Sequence, residues 1–151
     1  MKTFLILASI LLPLTIGIAG ETKKNIDPNP SFQKLIAGAT RIVVRDGGDI
    51  CCDTPAETLR QPLYFEIKDP EEIKKVAANI KFENGTYPND CACCGHPGVD
   101  WYIGNQRVAI TAVKHGMGLM RRSVIANFTP ESKAWMRKWL VGKGLAGEQI
   151  K

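Results

Sequence analysis

Val99-Asp100-Trp101-Tyr102-Ile103 and Arg107-Val108-Ala109-Ile110-Thr111-Ala112-Val113, separated by Gly104-Asn105-Gln106, decide the fold. Both runs are rich in β-branched and aromatic residues, and the glycine and asparagine between them mark a tight reversal, so the segment predicts a β-hairpin. With Gly104-Asn105 as a two-residue primed turn, Ile103 faces Gln106, Trp101 faces Val108 and Val99 faces Ile110. Carried further, that register sets Cys94 opposite His115. A three-residue loop would shift it by one and bring Gly95 opposite His115, with Cys94 one position away. Either way His115 is expected near the cysteines, although Pro97-Gly98 is expected to interrupt the ladder before it reaches them.

Immediately upstream the chain reads Cys91-Ala92-Cys93-Cys94-Gly95-His96, and His115 is the only other histidine. Thiolates and neutral imidazoles are the ligands preferred by soft and borderline metal ions. Cys91, Cys93, Cys94 and His115, with His96 behind them because it sits beside Pro97 in a loop, are therefore the candidate metal ligands. Zn²⁺ would take four of them in a tetrahedron. Cu⁺ is the other candidate ion, since Met117 and Met120 follow His115, although methionines also serve simply as core filler. The C-x-C-C spacing differs from paired C-x₂-C knuckles.

Two other uses compete for the same sulfurs. Cys51 or Cys52 joined to one of Cys91, Cys93 and Cys94 would staple an early reversal to the late hairpin. Alternatively, Cys91-Ala92-Cys93 could exchange disulfides, or Cys94 with His115 could form a nucleophilic dyad. The familiar C-x-x-C at a helix start is missing and no oxyanion hole is legible, so the chain reads as a binding protein rather than an enzyme.

The compartment follows from residues 1–19. Lys2 precedes an apolar run from Phe4 that ends in Gly17-Ile18-Ala19-Gly20, the pattern of a secretory signal peptide cleaved after Ala19. That implies a periplasmic or extracellular protein with no integral membrane span after cleavage. Residues 20–30, with Pro28 and Pro30, read as a flexible lead-in, and residues 31–151 as a single domain. In an oxidising compartment the five cysteines form disulfides by default, and their odd number leaves at least one unpaired within the monomer.

Charge is divided unevenly: residues 21–100 carry 10 Lys and Arg against 13 Asp and Glu, whereas residues 101–151 carry 9 against 2. A basic final third suits an anionic surface or polymer, or simply a solvated face, and export argues against nucleic acid. Asn84-Gly85-Thr86 and Asn127-Phe128-Thr129 match the glycosylation pattern, which matters only in a eukaryotic secretory route.

Elsewhere, Phe32, Leu35, Ile36 and Ala39 follow helical spacing, and Arg41-Ile42-Val43-Val44-Arg45 reads as a strand closed by a turn at Asp46-Gly47-Gly48-Asp49. Ile50-Cys51-Cys52 is expected to return along that strand with its two sulfurs on opposite faces. Pro62–Ile67 reads as another strand. Asp69-Pro70-Glu71-Glu72 opens a helix with an apolar stripe at Ile73, Val76, Ala77 and Ile80. Ser123–Phe128 reads as a last strand. Thr129-Pro130-Glu131 opens a final helix burying Trp135, Met136, Trp139 and Leu140. The expected class is α+β: a mostly antiparallel sheet with two or three helices packed on one face. The expected function is soft-metal binding or metal-stabilised binding through the cysteine and histidine cluster. The alternative is a disulfide-stapled envelope or inhibitor-type interaction module that uses the basic C-terminal third.

Overall fold

The computed structural model describes residues 28–49, 54–88, 92–122 and 124–150. In chain order the elements are α1 (Pro28–Ile36), β1 (Arg41–Arg45), α2 (Pro55–Thr58), β2 (Leu63–Ile67), α3 (Pro70–Asn79) and β3 (Tyr87–Pro88). There follow β4 (Gly98–Ile103), β5 (Gln106–Lys114), β6 (Gly118–Arg121), β7 (Val124–Asn127), α4 (Pro130–Gly142) and a 3-10 turn at Gly147–Gln149. The strands make one seven-stranded sheet in the order β2-β1-β4-β5-β6-β7-β3. All its neighbours are antiparallel, so the chain is α+β as its pattern predicts.

Helices α1, α3 and α4 share one face of that sheet because alternation sends one set of side chains to a single side. Ile42 lies against Trp101 and Val44 against Val99 across β1 and β4, and Val113 lies against Leu119 across β5 and β6. These residues form one buried cluster with Phe32 and Ile36 of α1, Ile73 and Val76 of α3, and Met136 and Leu140 of α4. Trp101, fully buried, meets the Phe32 ring edge-on with centroids 5.4 Å apart.

Local chemistry sets the helix starts. Asp69 accepts a bond from the Glu71 amide ahead of Pro70, and Thr129 accepts one from the Ser132 amide ahead of Pro130; both satisfy amides that the first turn leaves open. Helix α1 starts at Pro28, so the end of the stretch read as lead-in is helical. Asn29 holds it down by donating to the Phe82 carbonyl at 2.9 Å and accepting from the Phe82 amide at 2.8 Å.

The opposite face is polar yet covered. Arg45, Asp100 and Lys114 are only 1–2 % exposed, the first two beneath α2 and the segment around Gly48 and Gln61 and the last against Cys93. Asp100 accepts from Arg45 Nε and Nη2 at 2.9 and 3.0 Å and from Arg107 Nη1 at 2.9 Å. The guanidinium groups pass the connection outward, Arg45 to the Gly48 carbonyl at 2.8 Å and to Gln61, Arg107 to Thr58 Oγ1 at 2.8 Å.

The hairpin turns at Gly104-Asn105, with Ile103 opposite Gln106 as expected, but the register slips between Tyr102 and Trp101. Tyr102 pairs with Arg107 while Trp101 pairs with Ala109, leaving Val108 as the extra residue of a β-bulge. From there the register is the one expected of a longer loop. Pro97 does not end the ladder: the His96 amide donates to the Val113 carbonyl at 2.6 Å and the Val113 amide to the Pro97 carbonyl at 2.9 Å.

The expected leader at residues 1–19 and the expected return strand with Cys51 and Cys52 lie outside the described residues, as does Cys91. No helix among the described residues is long and apolar enough to cross a membrane.

Candidate functional site

The segment 93–97 runs along the end of β5 because Gly95 lets it approach. A Cβ on Gly95 would lie 2.7 Å from the Val113 carbonyl, and its φ of 71° belongs to the left-handed region. Gly48 closes from the other side, where a Cβ would meet the Cys94 carbonyl at 2.4 Å. The Asp49 amide donates to that same carbonyl at 2.7 Å. The cysteine segment is thus clamped between the end of β5 and the loop after β1.

His115 comes from the reversal between β5 and β6. The Met117 amide donates to the Lys114 carbonyl at 2.8 Å, and both central residues are left-handed, His115 at φ 50° and Gly116 at 64°. That is the pattern of a type I′ turn. Glycine meets the requirement freely, whereas histidine occupies this region at a cost of about 1 kcal/mol. The turn presents the ring to Cys93, with Nε2 3.2 Å from Sγ.

Lys114 completes the group. Its side chain is almost wholly buried, and Nζ lies 2.6 Å from Cys93 Sγ and 2.8 Å from the Cys93 carbonyl. An ammonium ion taken out of water needs negative or strongly polar partners, and a sulfur at this distance is placed to serve as one. Cys93 thus faces a cation and an imidazole at once.

Cys94 has a different fate: its sulfur is disulfide-bonded, and the other half of that bond lies outside the described residues. The dyad expected between Cys94 and His115 falls on Cys93 instead. Residues 93–97 lie ahead of β4 with Gly95 left-handed, and His115 is left-handed too, so neither side follows strand alternation where they meet.

His96 belongs to a second constellation. Its Nε2 lies 2.8 Å from Asp46 Oδ1 and 3.2 Å from the Tyr64 hydroxyl, and its Nδ1 contacts the Gln149 carbonyl. A carbonyl thus faces one nitrogen and a carboxylate the other. The hydrogen bond from His96 holds the Asp46 carboxyl below its ordinary value. Burial, and then the bond to Asp46, push the Tyr64 hydroxyl above its ordinary value. Both nitrogens of His96 are engaged by protein groups, whereas His115 presents Nε2 to a sulfur.

Of the five proposed ligands, then, the structure brings Cys93 and His115 together, binds Cys94 in a disulfide and engages His96 elsewhere. Cys91 lies outside the described residues. Among the described residues no three His, Cys, Asp or Glu side chains form a group that could hold a metal ion. Sequence reading missed Lys114, which it counted among surface charges, and Asp46 with Tyr64, which lie 50 and 32 residues from His96. No family model, curated protein or solved structure matches the chain, so its chemistry is argued from these contacts.

Proposed function

We propose that the chain is an exported protein that binds a soft metal ion, Zn²⁺ or Cu⁺, with Cys93 and His115 as two of the ligands. The observation that carries this reading is the 3.2 Å approach of Cys93 Sγ to His115 Nε2. Sulfur and nitrogen ligands on one tetrahedral Zn²⁺ lie about 3.5 Å apart, so the pair would open by only a few tenths of an ångström. Lys114, the cation now facing the sulfur, would give way to the metal. Further ligands would come from outside the described residues, with Cys91 the nearest in sequence.

Elemental analysis of protein prepared without chelator under mildly reducing conditions tests this. Close to one equivalent of metal is expected, falling sharply in Cys93→Ser and His115→Ala. Affinity should weaken on acidification as protons compete for the ligands. Negligible metal, together with a melting temperature that neither chelator nor added metal moves, would refute the proposal.

A second reading, the disulfide-stapled interaction module, is favoured by the bonded Cys94 and by the Asp49 amide on its carbonyl. Asp49 precedes Cys51 by two residues, so Cys51 or Cys52 is the expected partner. A bridge closing so long a loop would stabilise the fold by about 4 kcal/mol in the chain-entropy model. Non-reducing peptide mapping should then recover a link between those two segments. The two readings are compatible, since one bridge leaves three cysteines and His115 available.

A further inference from the structure

We propose that a recess between α1 and the outer end of β6 and β7 binds a single-chain anionic amphiphile, with its acyl chain in the recess and its acidic head against Arg121 and Arg122. The inference is independent of the metal reading and uses a different part of the molecule.

The recess exists because the helical layer stops short of the sheet's end. Strand alternation continues the core-facing row from Leu119 to Arg121 on β6 and from Ala126 to Val124 on β7, and these residues pair across the two strands. Leu119 is 4 % exposed and sealed in the core, whereas Val124 on the same face is 45 % exposed. A large apolar side chain therefore lies open on the face that should be buried. The resulting cavity has a volume of about 340 Å³, within the range of pockets that hold small molecules. Phe32, Leu35, Phe82, Leu119, Val124 and Ala126 supply its apolar surface.

Charge selects the occupant. Arg121 and Arg122 stand at the rim, and among the described residues no Asp or Glu lines the cavity. Neither arginine side chain makes an ion pair among the described residues, although most other basic groups in contact with the sheet do. Arg122 also holds a φ of 49°, a conformation that asparagine or glycine adopts at less cost, so the position keeps its guanidinium against backbone preference. An apolar slot ending in two unneutralised guanidinium groups matches a hydrocarbon tail with a carboxylate or phosphate head. A neutral amphiphile would leave the arginines unsatisfied, and a small anion would leave the slot empty.

Calorimetric titration of the purified protein with sodium decanoate below its micellar concentration tests this, with 1-decanol as the uncharged match and phosphatidylglycerol vesicles as the lipid-surface arm. Decanoate should bind saturably at one site. The Arg121→Gln/Arg122→Gln double variant, changed only at exposed positions, should keep the melting temperature and weaken decanoate by about tenfold or more while leaving decanol within about twofold. Val124→Trp, which fills the mouth, should weaken both ligands, with Leu35→Trp as the second blocking variant. Decanoate affinity unchanged in the double variant, or in both blocking variants, would overturn the site. So would binding to vesicles alone, which would place the interaction on the basic surface rather than in the recess.

Discussion

Replacing Asp100 by asparagine tests what holds the polar face of the sheet together. The carboxylate accepts three bonds from two guanidinium groups, and the side chains of Asp100, Arg45 and Arg107 are 2 %, 2 % and 11 % exposed. Asparagine keeps the shape and one acceptor oxygen but removes the negative charge, leaving two buried cations with no acid between them. Breaking a buried ion pair from one side costs about 3–5 kcal/mol. The lower end applies here because Arg45 keeps the Gly48 carbonyl and Gln61, and Arg107 keeps Thr58 and the Pro55 carbonyl. A loss of about 3 kcal/mol corresponds to a melting temperature lower by about 12 °C and a urea midpoint lower by about 1.5 M for a domain of this size. Combining it with Arg45→Met should recover part of the loss, with a coupling of about 2 kcal/mol, because one of the two orphaned charges is then gone. Since Arg45 also holds the loop that clamps Cys94, exchange of the Asp49 amide should quicken. A cost below about 1 kcal/mol for Asp100→Asn, or strict additivity in the double variant, would refute the reasoning.

Four further outcomes follow from the same geometry. Ser132 Oγ donates to the Asn79 carbonyl at 2.7 Å and accepts from the Lys81 amide at 2.8 Å, so Ser132→Ala should cost about 2 kcal/mol in urea denaturation, and a loss under about 0.5 kcal/mol would show that water replaces the hydroxyl. The fold favours the protonated Tyr64 hydroxyl, whose folded value lies above 10.0; its contribution is whole below that pH and lost as pH rises through the folded value, so Tyr64→Phe should flatten the alkaline fall in stability. Asp46 has the opposite sign, held below 3.8, so its contribution disappears as pH falls through that depressed value and Asp46→Asn should remove that acid dependence. Finally, His115→Gly should be more stable than His115→Ala by about 1 kcal/mol, because glycine accepts the left-handed turn without a Cβ clash; equal stabilities would mean that this conformation does not constrain the position.

Elements with local causes were legible in the sequence. Asp69-Pro70 and Thr129-Pro130 announce their helices through capping chemistry that needs no tertiary partner, and the glycine and asparagine before Gln106 announce the hairpin. Helix α2 carried the same kind of signal and was passed over: Thr54 and Glu57 exchange side-chain and backbone bonds as a capping box. Strand β6 had no such signal. Leu119 and Met120 are 4 % and 0 % exposed, so a strand covered on both faces loses the alternation by which strands are recognised. Arg45 looked like the polar end of a strand; it is buried because Asp100, 55 residues away, neutralises it, and a pairing at that separation leaves no local trace.

The site divides in the same way. Cys93 and His115 were legible because chemistry names the residues and the hairpin brings their segments together. Which cysteine meets the imidazole was not, since successive side chains on a strand alternate and the answer reverses with a shift of one. Val108 makes that shift as the unpaired residue between Arg107 and Ala109, and no pattern in Arg107–Val113 marks it. Lys114 was illegible because beside His115 it looks like one more charge of a basic surface, and only the folded chain brings its ammonium to Cys93 Sγ at 2.6 Å. Two neighbouring sulfurs thus differ in chemistry, one bonded in a disulfide and the other set between an ammonium and an imidazole, the arrangement on which the metal proposal rests.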